Sequence, residues 1–544
     1  MKNFLILSVL LLLLSACYKG KKVDLIIHNA VVYKMNDALE KAEAMAIMDG
    51  EILEIGPERA ILNKYTADQI IDAQSKDIYP GFHDSHGHIM SFAKQRLNVD
   101  LRKTSSLYEV IARLEKFQSK KNKKILIGRG WDQSLWGEKS LPNNQLLNEK
   151  FPSTPVALTR IDGHAMLINK AMMEYIGITD STTIEGGVIE RKEGELTGIL
   201  LDHALELVND QLPAPEEKDL KAEILEIQNE LLAYGITEVD EAGLTRDELQ
   251  LFIDLATKKK LKINVYAMLF PTEKNIEFAE KNGFYTNHHL SVRSFKVIVD
   301  GSLGSHGACM LSPYSDEPNK TGFLLKKPNE IKRIFRKGKA LNYQVNSHCI
   351  GDSANRFVLQ IIDTLMDDLP DHRWRIEHAQ VIHPDDFELF TSSGVIPSVQ
   401  PTHAVSDQRW AEQHIGKKRL KNGAYAYHTL HKKTGMILFG TDFPIEDINP
   451  FATIHAAVQR KNTDNEPIGG FLPDEAVSFS TTLKAMTFWP AFGSFQESHL
   501  GSLEVGKDAT FAIFDQPVKS QKKYLTNYAW LTVVNGEIQF DMRE

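Results

Sequence analysis

His86-Gly87-His88 is the first place where residue type and spacing could do chemistry. At the end of a strand, alternation puts both imidazoles on one face and leaves the backbone open at Gly87, a two-pronged clasp for a divalent cation. Alone, such a pair is as readily a surface accident. Four further ligand-type residues lie within or just after apolar runs: Lys296 in Ser294–Val299, His348 after Gln344-Val345, His378 after Arg375-Ile376, and Asp442 after Phe439-Gly440. A lysine in an apolar run either snorkels to a rim or loses its charge on burial. In the second case its neutral amine can take up CO₂ and become a carbamate that bridges two cations. His83 has the opposite parity to His86 and reads as a packing residue.

These residues meet only if their strands lie side by side. The middle of the chain alternates apolar runs with longer amphipathic stretches, which argues for parallel βα units. Eight runs read as strands: Ile78–His83, Ile236–Glu241, Ile263–Leu269, Ser294–Val299, Gln344–His348, Arg373–His378, Val395–Val399 and Met436–Gly440. Leu220–Tyr234 and Ile331–Leu341 read as helices between them. Eight units predict an α/β fold with a closed (β/α)8, TIM-like barrel over residues 78–496, whose working face is the C-terminal ends of its strands. His, Lys, His, His and Asp at ends one, four, five, six and eight are not independent accidents. A block at about 98–215 is far too long for a connection and predicts an inserted subdomain over the strand ends. Residues 23–77 and 497–544 each hold short strands, with Asp49-Gly50 and Asn535-Gly536 as hairpin turns. Neither end buries a core alone, so they are expected to pack together as one discontinuous β-sandwich domain.

The chain resembles the amidohydrolase superfamily, and within it the branch of N-substituted formamide deformylases. The resemblance rests on Pro80-Gly81-Phe82-His83-Asp84-Ser85-His86-Gly87-His88, Gly128-Arg129-Gly130-Trp131-Asp132, Arg160-Ile161-Asp162-Gly163-His164, Gly194-Glu195-Leu196-Thr197-Gly198 and Asp300-Gly301-Ser302-Leu303-Gly304-Ser305. It continues through His348-Cys349-Ile350-Gly351-Asp352, Arg375-Ile376-Glu377-His378-Ala379-Gln380, Gln400-Pro401-Thr402-His403 and Gly501-Ser502-Leu503-Glu504-Val505-Gly506-Lys507. It implies one or two divalent metal ions, with His86, His88 and Asp442 on one, His348 and His378 on the other, and carboxylated Lys296 bridging. Zinc is the default for so histidine-rich a set. The implied reaction is hydrolysis of a non-peptide carbon–nitrogen bond, an N-substituted formamide or N-acyl amine, by a metal-activated hydroxide. Asp442 would move the proton, and His403, or His164 from the insert, would face the developing oxyanion.

Trp131, Asp132 and Arg160 are candidate substrate contacts, although such aromatics equally give an insert its own core. His306 is a departure, because the branch often has an arginine after Gly-Ser-Leu-Gly-Ser; it joins the candidate substrate contacts. An ester, lactone or cyclic imide would suit the same site. A silent, lipid-anchored binding protein is the alternative of another class. Lys296 argues against a nucleobase deaminase, and the absence of a Gly-x-Ser-x-Gly elbow against a serine hydrolase.

The rest of the 544-residue sequence narrows the setting. Its composition, 42% hydrophobic and 25% charged, excludes a disordered or fibrous chain. The net charge of −9 gives no pull toward nucleic acid, so a small molecule is the expected partner. A homodimer is compatible with all of this. Three cysteines cannot make a disulfide scaffold, and Cys309 and Cys349 read as two free thiols or one pair. Residues 1–16 have the layout of an export signal, with Lys2 followed by the apolar run Phe4–Leu14. Leu14-Ser15-Ala16-Cys17 resembles the lipobox of bacterial lipoproteins, which implies lipidation at Cys17 and a tether over 17–22. Tyr18 resembles the outer-membrane sorting class, so the expected location is the cell envelope, facing the periplasm, with membrane contact only through the lipid.

Overall fold

The computed structural model describes residues 20–137, 139–161, 163–184, 187–366, 368–369, 371–519 and 524–543. The expected signal and Cys17 lie outside the described residues. The chain forms two compact units: one runs to Ile89 and resumes over Leu225–Glu544, and the other is Met90–Ile224.

In the first unit eight parallel strands follow one another around a barrel: β1 (Phe82–Gly87), β2 (Ile236–Leu244), β3 (Asn264–Leu269), β4 (Leu290–Ile298), β5 (Gln344–Cys349), β6 (Arg375–His378), β7 (Ile396–Val399) and β8 (Leu438–Phe439). The strands are short and buried on both faces, as parallel strands covered by helices are, and their apolar residues come with polar ones such as those of Phe82–Gly87 and Arg375–His378. Past the end of β8 the backbone N–H of Asp442 donates to the His86 carbonyl at 2.7 Å, and that of His88 to the Phe443 carbonyl at 2.9 Å. These bonds join the last strand to the first. The helix Pro328–Leu341 shows how the outer layer is written: Ile331, Ile334, Phe335 and Gly338 recur at helical spacing and form its buried side.

The first strand corrects the sequence reading. The run expected at Ile78–His83 is two elements, because Asp77–Pro80 pairs with Val31–Tyr33 and Phe511–Phe514 in a flanking sheet and the barrel strand begins only at Phe82. An apolar run reports burial and not which sheet takes it, and Gly81 is where the chain changes sheets. A Cβ there would lie 2.0 Å from the Thr237 side chain of β2.

The chain ends build two further sheets. Lys21–His28 pairs with Tyr65–Asp72 and Ala44–Met48, while Phe511–Phe514 lies between Asp77–Pro80 and Ala529–Val534. Leu25, Ile27 and Ile47 of the first pack with Phe511, Ile513, Leu531 and Val533 of the second in one core. The expected tether therefore ends before Lys21. Asp49-Gly50 and Asn535-Gly536 all have positive φ, as tight hairpin turns require.

The second unit is wider than the expected 98–215 insert. A six-stranded sheet organises it, with clusters around Leu114, Trp131 and Leu158 and around Met172, Ile176 and Leu200. Among the described residues no helix is long and apolar enough to cross a membrane.

Candidate metal centre

At the C-terminal ends of the barrel strands the expected ligands come together. His86 is on β1 and His88 follows it, Lys296 is on β4, His348 on β5, His378 ends β6, and Asp442 follows β8. His88 Nε2 lies 3.0 Å and His86 Nε2 3.7 Å from Asp442 Oδ1. Lys296 Nζ is 3.0 Å from His86 Nε2. The His378 ring centroid stands 4.8 Å from that of His86 and 4.4 Å from that of His348. His86, His378 and Asp442 each offer a ligand atom, all within 4.8 Å of one another. His88, at 24% side-chain exposure, marks the open side, whereas His86 is fully buried.

The local sequence makes this convergence feasible. Gly87 leaves room for the Phe443 ring, which a Cβ would meet at 2.3 Å. His378 and Asp442 have φ of 74° and 60°, and Ala379 has 42°. Non-glycine residues rarely adopt that region, and such strain concentrates where a site over-determines the backbone. Asp84 holds the seam between β1 and β8 by accepting from the Thr441 N–H at 3.0 Å, the Thr441 hydroxyl at 2.6 Å and the His86 N–H at 3.1 Å.

Electrostatics select the protonation states that a cation needs. Burial, then the neighbouring Lys296 ammonium, lowers His86 well below the usual imidazole value and brings His348 to about 3. Burial and the two nearby imidazoles do the same to His378. Lys296 is lowered by burial, against the pull of Glu377 and Asp442. Burial would raise Asp442, but the His88 hydrogen bond and the surrounding imidazoles hold it well below the normal carboxylate range. Lone pairs are thus free on three nitrogens beside an ionised carboxylate.

Two residues that the sequence reading left without a role aim the rings. Glu377 Oε2 lies 2.5 Å from His86 Nδ1, and Gln400 Oε1 lies 2.7 Å from His378 Nδ1. A ring that donates from Nδ1 turns the lone pair of Nε2 toward the site. The Nε2 atoms of His348 and His403 are buried without a hydrogen-bond partner, a costly state that a ligand relieves. Neutral imidazoles, an ionised carboxylate and unpartnered nitrogens fit a divalent cation. Glu377 and Gln400 each stand in a quoted motif, but only the fold reveals which ring each one meets. Asp300, the first residue of another, accepts from the N–H groups of Cys309, Ile350 and Gly351 at 2.8–3.0 Å, tying the segment after β4 to the end of β5.

His403 Nε2 lies 3.4 Å from Asp442 Oδ2, and its ring stacks on that of His378 at 5.9 Å. The sequence model of the amidohydrolase family matches residues 69–540. The chain belongs to that family. This amidohydrolase is 29% identical over 513 residues to Protein LONG AFTER FAR-RED 3 of Arabidopsis thaliana, covering 91% of this chain and 87% of that one. It is 24% identical to the N-substituted formamide deformylase of Arthrobacter pascens, covering 95% and 98%. Its fold is similar to an uncharacterized metal-dependent hydrolase from Pyrococcus horikoshii, with a TM-score of 0.77, 28% identity, and coverage of 92% of this chain and 99% of that one.

The remaining candidates of the amidohydrolase make contacts of their own. His306 is in the segment after β4, with Nε2 3.0 Å from Asp316 Oδ1. In the unit Met90–Ile224, Trp131 is a packing residue: it is 1% exposed, and its indole N–H donates to the Leu158 carbonyl at 2.7 Å. Asp132 and Arg160 of that unit pair at 3.1 Å, and exposed His164 has Nδ1 3.1 Å from Asp202. Cys309 and Cys349 are free thiols.

Proposed function

We propose that this amidohydrolase cleaves a non-peptide carbon–nitrogen bond in a small molecule of the N-substituted formamide or N-acyl amine type. The observation that carries the reading is the set of neutral imidazoles and one ionised carboxylate at the strand ends, with Asp442 flanked by His403. His86, His88, His348, His378, Asp442 and Lys296 would hold one or two divalent cations, zinc first among them, with Lys296 carboxylated as the bridge. Such a cation lowers the pKa of a bound water toward neutrality and polarises a carbonyl oxygen.

The protein's residues do the rest. Asp442 Oδ2 accepts the proton of the attacking water and hands it to the departing nitrogen, a transfer that amides require because an amide anion is too basic to leave alone. His403, 3.4 Å from the same oxygen, is placed to donate to the oxyanion; losing one such donor costs about 10²–10³ in rate. Glu377 and Gln400 keep the rings aimed through that charge movement.

The test is turnover of a matched panel of formamides, N-acyl amines and esters by the metal-loaded full chain, followed as formate, amine or acid released. Amide turnover that disappears on chelation and returns with zinc supports the reading. A metal-loaded protein that hydrolyses only the esters, or nothing, overturns it.

A further inference from the structure

Outside the strand-end cluster, one other group of side chains among the described residues converges as ligands do. His306 and Asp316 lie in the segment that follows β4, and His414 lies in the helix Ala411–Gly423, beyond β7. The three offer ligand atoms within 4.8 Å of one another. Asp316 sits between the rings, with Oδ1 3.0 Å from His306 Nε2 and Oδ2 2.7 Å from His414 Nδ1. The two ring centroids are 4.2 Å apart. None of these residues belongs to the cluster of His86, His378 and Asp442.

We propose that His306, Asp316 and His414 form a second, separate site for a divalent transition-metal ion, bound by two imidazoles and one carboxylate.

A plain ion-pair clamp explains the cluster less well. Two imidazolium rings 4.2 Å apart would repel, so one carboxylate cannot hold both as cations at little cost. His414 Nδ1 is buried and close to the carboxylate, yet it makes no aligned hydrogen bond with it. Its in-plane axis therefore points past the oxygen, which leaves that nitrogen without a protein partner. Two imidazoles and a carboxylate suit zinc, cobalt or nickel better than calcium or magnesium, which prefer all-oxygen shells.

The backbone holds the donors in place without a cation. The Ser315 N–H donates to the His414 carbonyl at 2.7 Å, and the Arg419 guanidinium donates to the carbonyls of Ser312 and Pro313 at 2.8 Å. Tyr314 and Trp410 stand against the two rings, with centroids 4.7 Å from His306 and 4.8 Å from His414. Side-chain exposures of 18%, 16% and 12% for His306, Asp316 and His414 leave a path for solvent, so water completes the coordination. A bound ion would pin the segment after β4 to the helix beyond β7.

The experiment counts zinc per full-length chain by mass spectrometry, after equilibration with zinc and removal of excess by gel filtration. Five proteins are compared: the natural chain, Asp316→Asn, His306→Ala/His414→Ala, His86→Ala/His88→Ala, and the last of these with Asp316→Asn added. Circular dichroism confirms the fold of each, and the near-isosteric Asp316→Asn covers a failure of the double variant to fold. The expected result is a loss of one zinc in both variants of the new site. His86→Ala/His88→Ala should retain one zinc that a further Asp316→Asn removes. Zinc should also raise the Tm of the His86→Ala/His88→Ala chain, and the added Asp316→Asn should abolish that rise. Unchanged zinc content in Asp316→Asn overturns the proposal, as does a folded His86→Ala/His88→Ala chain that holds none. A natural chain whose only zinc is the one lost with Asp316 would uphold this site while counting against the strand-end centre.

Discussion

The floor and the mouth of the barrel are equally rich in buried titratable side chains, and they treat charge in opposite ways. On the floor, His83 Nε2 lies 2.7 Å from Asp240, whose other oxygen bonds the fully buried Arg375 guanidinium. Burial opposes both cations, but Glu238 and Asp240 raise His83, and Asp240 and Glu377 raise Arg375. At the mouth, burial first, and for the three imidazoles their basic neighbours as well, pushes His86, His348, His378 and Lys296 toward neutrality, against the pull of Asp442. Opposite charges interleaved make a structural lock, whereas bases packed with bases leave lone pairs that want a cation. Burial of a polar group does not mark a site; the sign of its neighbours does.

The largest effect should come from the mouth. Asp442→Asn keeps the shape and removes the ionised carboxylate, so turnover should fall by about 10³-fold or more with the fold intact by circular dichroism. Retained activity would break the contrast on that side. On the floor, Arg375→Met leaves Asp240 buried with one oxygen stripped of its cation and only His83 as a partner, which should cost about 3 kcal/mol in urea unfolding. Zinc per folded chain should not change; a loss of metal without a loss of stability would mean the two ends are not distinct.

His289 sharpens the comparison, since it is a buried base in neither place. Its Nδ1 lies 2.7 Å from Asn264 Oδ1, and burial, helped by His288, lowers it to about 4 from an ordinary 6.5. Between those values the unfolded chain takes up a proton that the native one refuses. Its contribution is therefore complete above about pH 6.5 and is lost as pH falls through about 4. His289→Gln should remove a slope worth about 3 kcal/mol from the acid limb of a stability–pH profile and leave metal content unchanged. The smallest effect belongs to Glu377→Gln, which should weaken zinc about 10- to 100-fold in a competition titration, because the His86 ring loses its charged partner.

Much of this was legible in the sequence for one reason: parallel barrel strands place their C-terminal residues on a common rim, so ligand types at run ends could be collected without knowing distances. His86, Lys296, His348, His378 and Asp442 were found that way. The break at Gly81 was not, because the run Ile78–His83 continues across it without a polar interruption before His83, and only the pairing shows which sheet takes each part. Glu377 and Gln400 stood inside conspicuous motifs, yet their partners come from other strands. The pairing of His306 with Asp316 and His414 depends on how the segment after β4 folds back on the helix Ala411–Gly423, which no periodicity records. Trp131 carried two readings from its sequence, substrate contact and insert core, and its buried indole packs in the core of its own unit.

The seam between β1 and β8 carries more than geometry. Asp84 and Thr441 are 357 residues apart, and beside them stand three of the proposed ligands, His86, His88 and Asp442. A ribosome releases half of that clasp early and the other half only when most of the polypeptide has emerged. Any nascent or clipped chain that stops short of Thr441 is therefore chemically mute, however well its earlier strands have paired. Catalysis reports that the circle has been completed, and damage at the seam should silence the enzyme before it melts it.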